Sequence, residues 1–190
     1  RVEEASEKIP SVNVALQTIQ PPNHPTTQSP NLTWHLIGHL QSRKVKDAVA
    51  LFDYVHAVDS VALAKRLNDR AGALGKTLPI LVEVNVSGEA TKFGFAFAQR
   101  EFFFDAARAI IALPYLDAQG LMTMAPMVAQ PDDARPYFRA LRELRDELRT
   151  RFPERAWQHL SMGMTDDFTA AIAEGATIVR IGRAIFGQRQ

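Results

Sequence analysis

Two short stretches near the C-terminus carry the residues best suited to chemistry: HLSMGMTDDF (His159 to Phe168) and TIVRIGRAIFG (Thr177 to Gly187). In the first, an apolar strand stops at Ser161-Met162-Gly163 and a helix begins near Asp166, with Thr165 or Asp166 as its cap. A glycine at such a stop lets backbone amides crowd together, and the helix dipole adds a further attraction for an anion. The second stretch repeats the arrangement, with a strand, Gly182 and a short helical segment from Arg183. Single glycines after strands are common loop residues. Two adjacent units with the same device read as two halves of one phosphate cradle, as at consecutive late strand ends of barrel enzymes.

The elements that position these turns follow from hydrophobic patterning. Buried-strand runs fall at Thr33 to Gly38, Tyr54 to Asp59, Pro79 to Ser87, Tyr115 to Met124, Gln158 to Gly163 and Thr177 to Gly182. Helical patterns lie between them. The clearest is PYFRALRELRDELRTRF, where Phe138, Leu141, Leu144, Leu148 and Phe152 recur at spacings of three and four. Asp132 or Asp133 is its expected cap, Pro136 fits its first turn, and its arginines form a solvated face. Ser60 is the expected N-cap of a helix from Val61. Residues Arg1 to Ile19 are weakly helical, with Pro10 expected to limit the first segment. QPPNHPTTQSPN, from Gln20 to Asn31, reads as a loop. Repeated strand–helix units imply a parallel sheet covered by helices, either an open doubly wound sheet or a (β/α)8 barrel. About six units are present, too few to close a barrel, and periodicity does not choose between the two.

Composition narrows the function classes. The 190 residues fit one domain. Lys+Arg is 22 and Asp+Glu 21, a formal net charge of +1, too balanced for nucleic acid or an anionic membrane as main partner. The absence of cysteine excludes a disulfide framework, a thiolate metal site and a cysteine nucleophile, and a cytoplasmic protein is expected. No apolar run approaches the ~20 residues of a membrane-spanning helix.

Five motifs, in this order, resemble the YggS-type pyridoxal phosphate homeostasis proteins: WHLIGHLQSRK, VNVSGEATKFGF, GLMTMAP, LSMGMTDDFTAAIAEGAT and VRIGRAIFG. The resemblance covers essentially the whole chain. It implies an alanine racemase-like (β/α)8 TIM-type barrel without a second domain, and binding of pyridoxal 5′-phosphate as a carrier or buffer rather than catalysis. Carried onto this sequence, it places the phosphate on Ser161, Gly163, Met164, Thr165 and Gly182, and Arg180 near the pyridine nitrogen. A cation there keeps that nitrogen unprotonated and weakens the ring as an electron sink. His35, Asn85 and Met122 are further cofactor-lining candidates; His39 is a loop residue with a weaker claim, and Glu83, in the strand before Asn85, is of open role. Lys44 and Lys92 are expected to be solvated or paired with carboxylates.

The departures matter as much. The family's Schiff-base lysine lies on its first strand, in a segment reading roughly Ala-Val-Ser-Lys, ahead of a helix and a second strand. This chain starts at RVEEASEKI, so the resemblance implies that the first strand, first helix and second strand are absent. None of Lys8, Lys44, Lys46, Lys65, Lys76 or Lys92 matches the cofactor lysine. An incomplete barrel exposes strand edges suited to oligomerisation. The Gln20–Pro30 stretch looks like an insertion, and Arg43 replaces a common asparagine. PLP-dependent apoenzymes are the implied recipients. A racemase-like enzyme would need the missing lysine and usually a tyrosine from a second domain, and Tyr54, Tyr115 and Tyr137 match no such position. A scaffold that has lost cofactor binding is the third reading, against which the two glycine turns argue.

Overall fold

The computed structural model describes residues 2–18 and 32–187. The Gln20–Asn31 loop expected from sequence lies outside the described residues. Among the described residues seven strands form one parallel sheet: β1 (His35–Leu36), β2 (Tyr54–Val58), β3 (Leu78–Asn85), β4 (Phe95–Ala96), β5 (Leu116–Met122), β6 (His159–Met164) and β7 (Ile178–Arg180). Their order is β1-β2-β3-β5-β6-β7, with β4 paired to the end of β3. The helices are α1 (Val2–Thr18), α2 (Val45–Leu51), α3 (Val61–Ala73), α4 (Arg100–Ile111), α5 (Arg135–Arg151), α6 (Phe168–Ala173) and α7 (Arg183–Phe186). Every pairing is parallel; helices supply the crossovers along the main strand order, and β4 returns beside the end of β3 through the loop over 86–94.

The sheet is curled into part of a barrel. In a flat sheet the three steps from β2 to β6 would separate them by roughly 14 Å, yet the His56 ring on β2 lies within 3.0 Å of the Ser161 hydroxyl on β6. Of the two architectures open to the sequence, the structure is therefore the incomplete barrel. Its outer face packs on the helices. Phe138, Leu141, Leu144 and Leu148 of α5 are buried there, as the three-four spacing requires. Each such side chain contributes roughly 1.5–3 kcal/mol of burial. The inner face carries a small apolar cluster of Tyr54, Ala57, Leu81 and Met122, and polar side chains fill the rest.

Several local expectations change. Helix α1 runs through Pro10 instead of stopping there. An interior proline forfeits one backbone bond, roughly 3 kcal/mol, but Val2 and Ile9, two turns apart on one face, are both buried in the core and hold the helix across it. Asp133 does not cap α5. Its carboxylate accepts from the Gln130 amide and closes a 3-10 turn over Pro131–Ala134, from which α5 continues. Ser60 does cap α3, accepting from the Leu63 amide. The arginine face of α5 is not simply solvated: Arg135, Arg139 and Arg142 converge on the carboxylate of Glu174, which is 2% exposed. This ties α5 to the C-terminus of α6. Strand β4 had no sequence signal, since two residues show no period.

Candidate cofactor site

Strand β7 brings Arg180 to the C-terminal end of the sheet, in register with Met164 on β6. Its guanidinium turns inward, donating to the Ser161 hydroxyl and to the Thr123 carbonyl, each at 2.9 Å. Both acceptors are neutral, and among the described residues Arg180 has no ion pair. Only two of its five N–H donors are used in these bonds. Burial lowers its pKa, and the charges of Asp167 and Glu83 oppose that. A partly buried cation held by neutral groups fits a ligand that brings its own acceptor or negative charge.

Behind Arg180 lies a polar chain. Ser161 is wholly buried, and its hydroxyl also meets His56 Nδ1 at 3.0 Å. His56 Nε2 meets His35 Nδ1 at 2.8 Å. Tyr54 stacks on His35 with centroids 4.9 Å apart, and its hydroxyl donates to Gln119 at 2.8 Å. Burial is the main cause of the depressed pKa of His56, about 3, with the His35 and Arg180 charges adding to it. Glu83 on β3 is 3% exposed, and among the described residues its Oε2 has no hydrogen-bond partner. Burial, then Asp59, raises its pKa to about 7, against the pull of Arg180.

The two glycine turns do meet. Asp166, after β6, pairs with Arg183, at the start of α7. Their internal build differs from expectation. Strand β6 continues to Met164, and α6 starts only at Phe168, so neither Thr165 nor Asp166 caps it. Instead the Asp167 carboxylate reaches back and accepts from the Met164 amide at 2.6 Å, so that amide is already engaged. Gly163 has φ of +92°, and a Cβ there would lie 2.6 Å from the Ala171 Cβ. It lets α6 close onto the strand end. Gly182 has nothing within 4 Å of a Cβ position and stands at the open mouth before α7, whose first amides lack helical partners.

The remaining sequence candidates are dispersed. Thr165 is half-buried beside the Met164 turn. His35 is on the edge strand β1, bordering a groove of about 670 Å³ shared with α1. Met122 ends β5 inside the apolar cluster. Asn85 organises a loop: its Nδ2 donates to the Glu89 carbonyl, while its Oδ1 accepts from the Gly88 amide and the Ser87 hydroxyl. His39 pairs with Asp59 at 3.2 Å and stacks on Phe93. Lys44 pairs with Glu3, and Lys92 with Glu89. His56, the link between Ser161 and His35, was missed by sequence reasoning. Its one available signal was a histidine inside the buried strand YVHAVD, and its partner is 105 residues away. Among the described residues no group of three or more His, Asp or Glu is placed to hold a metal ion, and no helix is long and apolar enough to cross a membrane.

An α/β partial barrel with a cation at the C-terminal mouth and a glycine-bearing helix start beside it is the alanine racemase N-terminal class of cofactor barrel. Residues 4–190 match the family described as "Alanine racemase, N-terminal domain". Within it, the chain belongs to the pyridoxal phosphate homeostasis protein family. The protein of that name from Aquifex aeolicus is 45% identical over 160 residues, covering 84% of this chain and 68% of the relative. The one from Escherichia coli K12 is 39% identical over 164 residues, covering 83% and 65%. The chain thus spans about two thirds of the length of these relatives. The structure of PipY from Synechococcus elongatus, solved with PLP bound, superposes with a TM-score of 0.79 at 34% identity, covering 98% of this chain and 79% of that one. An alanine racemase of Clostridium difficile, 18% identical with a TM-score of 0.58 over 84% of this chain and 40% of its own, shares the fold.

Proposed function

We propose that this chain binds pyridoxal 5′-phosphate at the C-terminal mouth of its barrel and serves in cytoplasmic PLP homeostasis as a carrier or buffer, without a catalytic reaction of its own. The observation that carries the reading is Arg180, a partly buried cation fixed by two neutral acceptors beside an open glycine turn. The phosphate is assigned to the paired turns, with Gly163, Met164 and Thr165 on one side and Gly182 with the first amides of α7 on the other. The Met164 amide is committed to Asp167 and is not one of the donors to the phosphate. Arg180 is assigned to the pyridine nitrogen, where its charge disfavours a proton, and Ser161 holds it there. His35, Asn85 and Met122 support the barrel wall and the loop at its rim.

When bound, the cofactor supplies an aldehyde that condenses with amines and a ring that delocalises charge. This chain's residues bind and orient it. None of the three tyrosines offers a free hydroxyl at the mouth in support of racemase-like proton transfer: Tyr54 is tied to Gln119, and Tyr115 lies at the opposite end, before β5. Tyr137 is on the outer helix α5. PLP-dependent apoenzymes are the recipients in this reading, and the outer edges of β1 and β7 are its contact surfaces for a second copy. The test is a spectroscopic titration of the chain with PLP, with inorganic phosphate as competitor. Saturable binding of one equivalent is expected, weakened by phosphate and by R180A. Binding that never saturates, or that ignores both, overturns the reading.

A further inference from the structure

We propose that His56 is a positioning residue for Arg180: with Ser161 and His35 it forms a hydrogen-bond chain that runs in one direction and orients the guanidinium toward the cofactor mouth. The proposal rests on the assignment of Arg180 to the cofactor.

The direction follows from donor chemistry. A guanidinium has donors only, so Arg180 donates to the Ser161 oxygen at 2.9 Å. Ser161 is wholly buried, and its proton must find an acceptor. Among the described residues the acceptor that meets it is His56 Nδ1 at 3.0 Å. Nδ1 is therefore unprotonated, and the neutral ring carries its proton on Nε2. That N–H donates to His35 Nδ1 at 2.8 Å, which leaves His35 with its proton on Nε2, at the edge strand bordering the groove beside α1. One donor-only group at the end of the chain thus sets two tautomers and one hydroxyl rotor.

The rings are held where this requires. Tyr54 stacks on His35 with planes 7° apart and meets His56 edge-on at 5.1 Å. His56 is 1% exposed, and among the described residues the titratable groups around it are His35, His159, Tyr54 and Arg180, with no carboxylate acting on it. A second proton on Nδ1 would point at a hydroxyl that already accepts from Arg180, and it would stand close to the guanidinium charge. The ring stays neutral across physiological pH, as its depressed pKa also indicates. A neutral acceptor is what the site needs here. A carboxylate behind Ser161 would draw the guanidinium inward and compensate the charge offered to the ligand.

The test combines a measurement on the cofactor-free chain with two variants. Nitrogen-15 NMR of the histidine side chains is expected to show His56 as the neutral Nε2–H tautomer, unchanged from pH 8 to pH 5.5. The protonated ring or the Nδ1–H tautomer overturns the chain. In PLP titration, H56L removes the acceptor for Ser161 and is expected to weaken binding roughly tenfold, the scale of one buried hydrogen-bond partner left unmade. H56N keeps an oxygen where Nδ1 stood and is expected to restore most of the affinity, which a role in packing alone would not predict. With R180A impaired, an H56L chain that binds PLP as the wild type does overturns the positioning role. With R180A also unimpaired, it is the assignment of Arg180 to the cofactor that fails.

Discussion

Replacing Glu83 by glutamine isolates the electrostatics of the barrel interior. Glu83 is 3% exposed, its Oε2 lacks a partner among the described residues, and burial with the Asp59 charge raises its pKa from an ordinary 4.5 to about 7. Between those two values the folded chain holds a proton that the unfolded chain has released, so stability falls as the pH rises. The interval from 4.5 to about 7, at about 1.4 kcal/mol per pH unit, makes the ionised carboxylate a penalty of about 3 kcal/mol above neutrality. E83Q has no such proton to lose. Urea unfolding of both chains is therefore expected to show E83Q gaining on the wild type by about 3 kcal/mol between pH 4.5 and pH 8. His56 acts with the opposite sign. Its folded pKa of about 3 lies below the ordinary 6.5, so its contribution is present above pH 6.5 and lost as the pH falls toward 3. The two slopes nearly cancel in the wild type between pH 4.5 and 6.5, and E83Q uncovers the histidine slope. A stability difference that is independent of pH, or that shrinks as pH rises, refutes the reasoning.

Other expectations concern the frame of the site. S161A leaves both the Arg180 Nη1 bond and the His56 Nδ1 contact unmade, and a loss of roughly 1–3 kcal/mol is expected in urea unfolding without cofactor; an unchanged midpoint would contradict it. G163A places a methyl group 2.6 Å from Ala171 at a positive φ, and thermal unfolding should report a loss of roughly 1–3 kcal/mol. Glu174 is held below its ordinary pKa, chiefly by its bond to Arg139. Its contribution is thus present above 4.5 and lost as the pH falls through the lower folded value. E174Q is expected to be less stable at pH 7 and to lose less than the wild type on acidification, measured by the same unfolding series.

The strands were legible because a parallel sheet covered by helices buries both faces, and runs such as ILVEVNV announce that directly. The α5 spacing and the Ser60 cap were legible for the same local reason. The path of α1 across Pro10 was not, because the burial that holds it comes from elements distant in sequence. The site divided along the same line. Arg180 and the two glycine turns stood out as local motifs, and the Asp166–Arg183 pair joins those turns in space. The carboxylate of Asp167 was hidden, since which acid in Thr-Asp-Asp turns back onto Met164 is decided by the length of β6. His56 was hidden more deeply: nothing within YVHAVD says that sheet curvature will place it against Ser161.

The most direct measurement is a crystal structure of the chain soaked with PLP. The account requires the pyridine nitrogen against the Arg180 guanidinium and the phosphate at the Gly182 turn facing Gly163–Thr165. PLP bound elsewhere, or a mouth that stays empty at concentrations saturating in solution, would contradict it.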